Sequence, residues 1–186
     1  LRKYIPIVKK VKILEKLGLK KKSFFLVTLH RPESVDIKKN LIKLFNTFNN
    51  LTKEYNLPII FPIHPRTKDK IKKLKLKIDK RIKIIEPLEY LSFLKLMKES
   101  KIILTDSGGI QEEAAIIGVP CITLRTTTER QITLLKKVNI MTGYNEIKII
   151  NAVKRFNEKR IFKIKDFGTG QVTNKIYKQL LKIKTK

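Results

Sequence analysis

The chain has 186 residues, 42% of them hydrophobic and 32% charged, and its 43 Lys and Arg against 16 Asp and Glu leave a formal charge of +27. A chain of this length suits a single domain that buries roughly 70% of the surface it exposes when unfolded. It has no apolar run near the roughly 20 residues of a membrane span, and its lone cysteine, Cys121, excludes an intrachain disulfide and points to a reducing, cytoplasmic setting.

The positive charge would suit nucleic acid or an anionic membrane. Lysine, however, is spread through nearly every segment rather than gathered into a patch, so the charge reads as compositional bias and neither partner is expected. The first residue is leucine, which suggests a start inside a longer protein. Residues 1–22 read as a Lys-rich connector helix closed by Gly18 and packed on the sheet edge. "FFLVTL", Phe24 to Leu29, is the first strand, and Asp36 is placed to cap a long helix whose Leu41, Leu44, Phe45, Phe48 and Leu51 recur at helical spacing.

"PIIFPI" is the second strand, Thr67 to Asp79 a Lys-rich amphipathic helix, and "RIKIIEP" the third strand. "EYLSFLKLMKES" is a helix with Leu91, Leu94 and Met97 on one side, and "KIILT" the fourth strand. The next helix stops at Gly118 and Pro120, and "CITLR" follows as the fifth strand. "ERQITLLKK" is helical, "NIMTG" a short strand, "NEIKIINAVKRF" a helix, and a last amphipathic helix spans residues 170–183. Strand and helix patterns alternate throughout. The fold class is therefore α/β: one domain over residues 1–186 with a Rossmann-like parallel sheet and helices on both faces.

The stretch "TDSGGIQEEAAIIGVP", Thr105 to Pro120, carries the clearest chemistry. A strand ending at Thr105, a tight turn and a helix start lie where open α/β sheets bind ligands. The amides of Gly108 and Gly109 can approach an anion without side chains in the way, the helix start adds roughly half a positive charge, and Ser107 adds a hydroxyl. Glu112 reads as a first-turn carboxylate favoured by the helix dipole. Glu113 lies four residues after Gly109, about 5.4 Å along the same face, where it can accept hydrogen bonds from the vicinal hydroxyls of a ribose next to a bound pyrophosphate.

Other candidates sit after other strands. His30 can contact phosphate or assist proton transfer, and Arg31 can pair with an anion or with Glu33. His64 lies in "PIHPRT" between two prolines and reads mainly as part of a rigid turn. In "LRTTTERQ" threonine hydroxyls can cap a helix and Arg130 can clamp phosphate, while the backbone around Phe93 can meet a base edge. The letters D-S-G-G also surround the nucleophile of trypsin-like proteases, but those are all-β proteins. There is no G-x-G-x-x-G, no Walker lysine motif and no G-x-S-x-G elbow, and two histidines with one cysteine make no metal-ligand cluster.

"TLHRPESVD", "PIHPRT", "EPLEYLSFLKLM", "ILTDSGGIQEEAAIIGVPCITLR" and "TTER" together resemble, in order and spacing, the non-hydrolysing UDP-N-acetylglucosamine 2-epimerases. "ILEKLGL" and "FGTGQVTNKIYKQLL" look like that family's interdomain connector and C-terminal helix. The resemblance implies the GT-B architecture of two Rossmann-like domains, of which this sequence matches the second, the N-terminal one being absent from it. It implies that His30 contacts the diphosphate and that Ser107, Gly108 and Gly109 bind phosphate, while Arg31 next to His30 is read as a further UDP-binding candidate. It further implies that Glu113 binds the ribose diol, Arg130 joins the anion site and uracil lies near Leu88 and Phe93.

The implied reaction interconverts UDP-N-acetylglucosamine and UDP-N-acetylmannosamine by elimination and re-addition of UDP, with neither metal nor nicotinamide cofactor. The proton-moving carboxylates belong to the family's first domain, so the chain by itself is expected to bind UDP without efficient turnover. Partners implied are the UDP-sugar substrate, the N-terminal domain in cis or in trans, and a second copy in a homodimer. Two departures stand out. Gln131 and Ile132 replace the family's usual Pro-Glu after "TTER", which is expected to shift the helix start and weaken Arg130, and Pro32, Glu33 and Ser34 look like archaeal relatives rather than bacterial ones, so allosteric control by substrate is not implied. Alternatives are half of a GT-B glycosyltransferase and a non-enzymatic polyanion-binding domain.

Overall fold

Short apolar strands separated by amphipathic helices leave one economical solution, a sheet whose two faces are both covered. The computed structural model describes residues 1–157, 167 and 172–184. Six strands, β1 (Phe25–Thr28), β2 (Ile59–Pro62), β3 (Ile82–Ile85), β4 (Ile102–Thr105), β5 (Cys121–Thr123) and β6 (Asn139–Met141), form one sheet in the order β3-β2-β1-β4-β5-β6, each pair parallel. The chain winds outward from β1 to β3, crosses back to β4, and winds outward the other way. Between β1 and β4 the connections therefore leave in opposite directions, and a crevice opens at the strands' carboxyl ends.

Alternation along β1 divides the interior in two. Phe25 and Val27 face a core shared with Leu41, Leu44 and Phe48 of α4 (Lys38–Tyr55) and Ile149 and Val153 of α9 (Glu146–Asn157). Phe24 and Leu26 face the opposite core, with Leu96 and Met97 of α6 (Tyr90–Glu99) and Ala114 of α7 (Gly108–Ile117). Cys121 is buried in this second core, and desolvation pushes its thiol up to about 12, so it is an inert packing residue.

Residues 1–22 do not form one helix. A 3-10 turn (Arg2–Tyr4), α1 (Ile5–Val8) and α2 (Ile13–Lys16) follow each other, with Gly18 at φ +63° after them. Nor do they cap the sheet edge: Ile13 and Leu14 pack with Leu26 and Ile60 on a sheet face. Burying Val8, Ile13 and Leu14 together requires a bend between the turns, and the Lys95 ammonium holds it by donating to the Lys9 carbonyl at 3.3 Å.

Asp36 does not cap α4, whose N-cap is Ile37 with no side-chain bond. A short helix, α3 (Pro32–Val35), fills the loop instead, and the Asp36 carboxylate takes Arg66 Nη2 at 2.7 Å and Lys70 Nζ at 3.0 Å from α5 (Pro65–Leu74). Two cations within reach outweigh a cap bond. The helix expected over Thr67 to Asp79 is shifted: Pro65 starts α5 at its first turn and Lys75, at φ +47°, ends it. After the short α8 (Gln131–Leu135) and α9 comes α10 (Val172–Lys184), and Gly170, the expected start of the last helix, lies outside the described residues. No helix among the described residues is long and apolar enough to cross a membrane.

Candidate functional site

β1 and β4 run side by side and end together, with Thr28 paired to Thr105 and their hydroxyls 2.6 Å apart. The residue that follows β4 is the buried Asp106. Its carboxylate accepts the backbone N–H groups of His30 at 3.1 Å and Arg31 at 2.9 Å, and faces His30 Nδ1 at 3.2 Å. Burial alone would raise the Asp106 carboxyl, but the hydrogen bonds from His30 and Arg31 outweigh it and hold the group below the usual carboxylate range. One buried anion thus ties the two loops of the crevice together and turns His30 so that Nε2 points away from Asp106. Sequence reasoning passed over Asp106, although its place between a strand end and Ser-Gly-Gly was a usable signal.

Ser107 is the N-cap of α7 in extended backbone geometry, φ −89° and ψ 127°, and its N–H donates to Thr105 Oγ1 at 3.0 Å while its hydroxyl makes no cap bond. The first amides of α7, from Gly108 onward, have no partner within the helix. At the exposed Gly109 an added side chain would meet nothing nearer than Ser107 Oγ at 4.0 Å, so that side of the turn is open. Gly108 is covered: a Cβ there would stand 2.5 Å from Glu129 Oε1.

The two glutamates part company. With α7 starting at Gly108, Glu112 lies beyond the first turn, and it pairs with Arg130, Oε1 to Nε 2.8 Å, rather than serving the helix dipole. Glu113 accepts a hydrogen bond from the Tyr90 hydroxyl of α6 at 2.8 Å. Burial, and then the Glu113 carboxylate, push the Tyr90 phenol up to about 12, so it remains a donor at neutral pH. Tyr90 was not singled out from sequence because nothing in its neighbourhood places α6 beside α7.

The loop before α8 is fixed from beneath. Gln111 is buried, and its Oε1 accepts Thr128 Oγ1 at 2.7 Å and Asn139 Nδ2 at 3.2 Å. Thr128 in turn accepts the Arg130 N–H at 3.1 Å, and Gln131 Nε2 donates to the Thr128 carbonyl at 2.8 Å. Gln131 is the first residue of α8 and Arg130 its N-cap, so the Gln131 side chain closes the loop onto Thr128 where the helix begins. Replacing Gln111 with leucine should leave the Thr128 hydroxyl and Asn139 amide buried without this acceptor and lower stability by about 2 kcal/mol, read from urea unfolding.

A cleft of about 230 Å³ opens on the same edge, with Thr28, His30, His64, Leu88, Phe93 and Ile110 in its walls. The His30 and His64 ring centroids are 6.1 Å apart. His64 does hold a turn, its Nδ1 accepting the Arg66 N–H at 3.3 Å to cap α5, yet its ring also faces the cleft. Phe93 contributes only its side chain in this respect: its N–H is committed to the Glu89 carbonyl at 2.9 Å. Apolar walls with two imidazoles suit a flat heteroaromatic ring. Arg31 reaches across to Glu129, Nη2 to Oε1 3.9 Å.

The structure therefore gathers His30, Arg31, Leu88, Phe93, Ser107, Gly108, Gly109, Glu113 and Arg130 around one edge of the sheet. Among the described residues no group of three or more His, Cys, Asp or Glu is placed to hold a metal ion.

A family profile described as UDP-N-acetylglucosamine 2-epimerase matches residues 2–181. The UDP-N-acetylglucosamine 2-epimerase of Methanocaldococcus jannaschii is 48% identical over 162 residues, covering 84% of this chain and 44% of the relative. A Pseudomonas aeruginosa UDP-2,3-diacetamido-2,3-dideoxy-D-glucuronate 2-epimerase is 33% identical over 86% of this chain and 45% of its own length. The crystal structure of the M. jannaschii UDP-GlcNAc 2-epimerase in complex with UDP-GlcNAc and UDP superposes with a TM-score of 0.87 at 42% identity, covering 96% of this chain and 51% of that one. The chain spans about half the length of these relatives, and its six-stranded parallel sheet is the Rossmann-like half of a GT-B fold.

Proposed function

The chain belongs to the UDP-N-acetylglucosamine 2-epimerase family, and from that premise we propose that it is the nucleotide-binding half of an enzyme interconverting UDP-N-acetylglucosamine and UDP-N-acetylmannosamine. The observation that carries the reading is the junction of three features on one edge: the helix start at Ser107 to Gly109, open at Gly109 and covered by the Glu129 carboxylate at Gly108, the carboxylate of Glu113 farther along α7, and the apolar cleft at Leu88 and Phe93. They match the three parts of UDP, the diphosphate, the ribose and the uracil.

In this reading uracil enters the cleft between Phe93 and the two imidazoles. The ribose diol donates to Glu113, whose Oε2 is left over from the Tyr90 contact. The diphosphate meets the α7 amides, with His30 and Arg31 on one flank and Arg130 on the other. Chemistry at the sugar then follows from charge. Breaking the bond between C1 and the diphosphate oxygen, with loss of the C2 proton, leaves a glycal and UDP. Re-addition of UDP at C1 and of a proton to the opposite face of C2 completes the inversion. Donors fixed before reaction stabilise the charge that builds on the departing diphosphate, an effect of the oxyanion-hole kind. The groups that move the C2 proton lie in the half of the enzyme outside this sequence.

The test is calorimetric titration of UDP into the chain, followed by an assay for the C2 epimer after a first half from a relative is added. Expected are saturable UDP binding below millimolar concentration, no epimer from the chain alone, and epimer from the reconstituted pair. Absence of UDP binding in folded protein would overturn the site, and transfer of the sugar to an acceptor in place of the epimer would overturn the reaction.

A further inference from the structure

His30, Arg31, Gly108 and Arg130, four of the groups expected to meet the diphosphate, are already close to a carboxylate of the chain itself. Glu129 is the main one. Its Oε1 lies over Gly108 at the start of α7, its Oε2 accepts Arg125 Nη1 at 3.0 Å, and Arg31 Nη2 approaches it at 3.9 Å. Arg130 is held separately by Glu112 at 2.8 Å. A helix start with two guanidiniums converging on one oxyanion is the arrangement a phosphate would use.

Building on the nucleotide-site reading above, we infer that Glu129 is a specificity-determining residue: a resident anion on the phosphate seat that UDP displaces and that inorganic phosphate does not. A hydrogen bond from its own backbone N–H, together with Arg125, holds the Glu129 carboxyl below the usual carboxylate range, so the occupant is charged at neutral pH. The side chain is 46% exposed, so it can swing into water with little loss of packing. A free phosphate must win the seat by its own charge alone. A nucleotide anchored through its uracil and ribose presents its diphosphate at high local concentration and wins by tethering. The selection favours a diphosphate that arrives attached to the right nucleoside.

The experiment titrates UDP, uridine and inorganic phosphate into wild type, Glu129→Gln and, as an equal charge change at the far end of α4, Glu54→Gln. The exposed ion pairs given up by Glu129 predict UDP binding about fivefold tighter in Glu129→Gln. Uridine affinity should stay unchanged, phosphate binding should become measurable only in that variant, and Glu54→Gln should match wild type. Equal or weaker UDP binding by Glu129→Gln, the same gain in Glu54→Gln, or a matching gain for uridine would each overturn the inference while leaving the nucleotide site standing. UDP binding by none of the three proteins would remove the nucleotide site, and the inference with it.

Discussion

Replacing Asp106 with alanine is expected to lower stability by about 3 kcal/mol and to weaken UDP binding by at least about tenfold, although Asp106 need not touch the ligand. The buried carboxylate accepts the N–H groups of His30 and Arg31 and orients the His30 ring. Hydrogen bonds to a charged group contribute roughly 1.5–3 kcal/mol each and do not add fully when they share one acceptor. Without them the loop after β1 is free to leave the start of α7, and the flank that meets the diphosphate is no longer fixed. Urea unfolding and UDP calorimetry on the same protein check both effects.

The pH dependence has a defined sign. Because the folded Asp106 carboxyl binds its proton less readily than the unfolded one, its contribution is complete above the ordinary carboxylate value of about 4 and fades as pH falls through the lower folded value. Asp106→Asn should therefore be less stable than wild type at neutral pH, and the gap should narrow on acidification below about pH 4. A constant gap across that range would mean that the carboxylate's charge is not what holds the loops.

Glu113→Ala should cost about 100-fold in UDP affinity, on the estimate of two charge-assisted hydrogen bonds at roughly 1.5 kcal/mol each. The loss should be shared by uridine, which keeps the diol, and absent for 2′,3′-dideoxy-UDP, which lacks both donors. Such a pattern assigns the effect to the ribose. Tyr90→Phe is the companion variant: it removes the hydroxyl that occupies Oε1 and should alter affinity far less than removal of the carboxylate itself. Undiminished UDP binding in Glu113→Ala would take the ribose away from α7 and leave Tyr90 as the partner of Glu113 among the described residues.

Much of the candidate site was legible because its residues stand at strand ends. Ser107, Gly108 and Gly109 were marked by small residues at a strand-to-helix turn, and His30 and Arg31 by their place just past an apolar run. Residues whose partners come from distant segments were not legible. Asp106 serves the loop after β1, Gln111 serves Thr128 and Asn139, and Tyr90 reaches Glu113 from the neighbouring helix. Asp36 shows the same limit from the other side: its local pattern pointed to a helix cap, and two cations on α5 took the carboxylate.

The alternation of strands and helices and the strand-to-helix turn at Ser107 to Gly109 follow from the order of residues alone, because periodicity and steric freedom are local properties of the chain. Which strands lie side by side, and hence that the loops after β1 and β4 face each other across a crevice, was decided only when both sheet faces were buried at once. That burial depends on contacts between residues far apart in sequence. The placing of Glu129 on the seat expected for phosphate belongs to the same category.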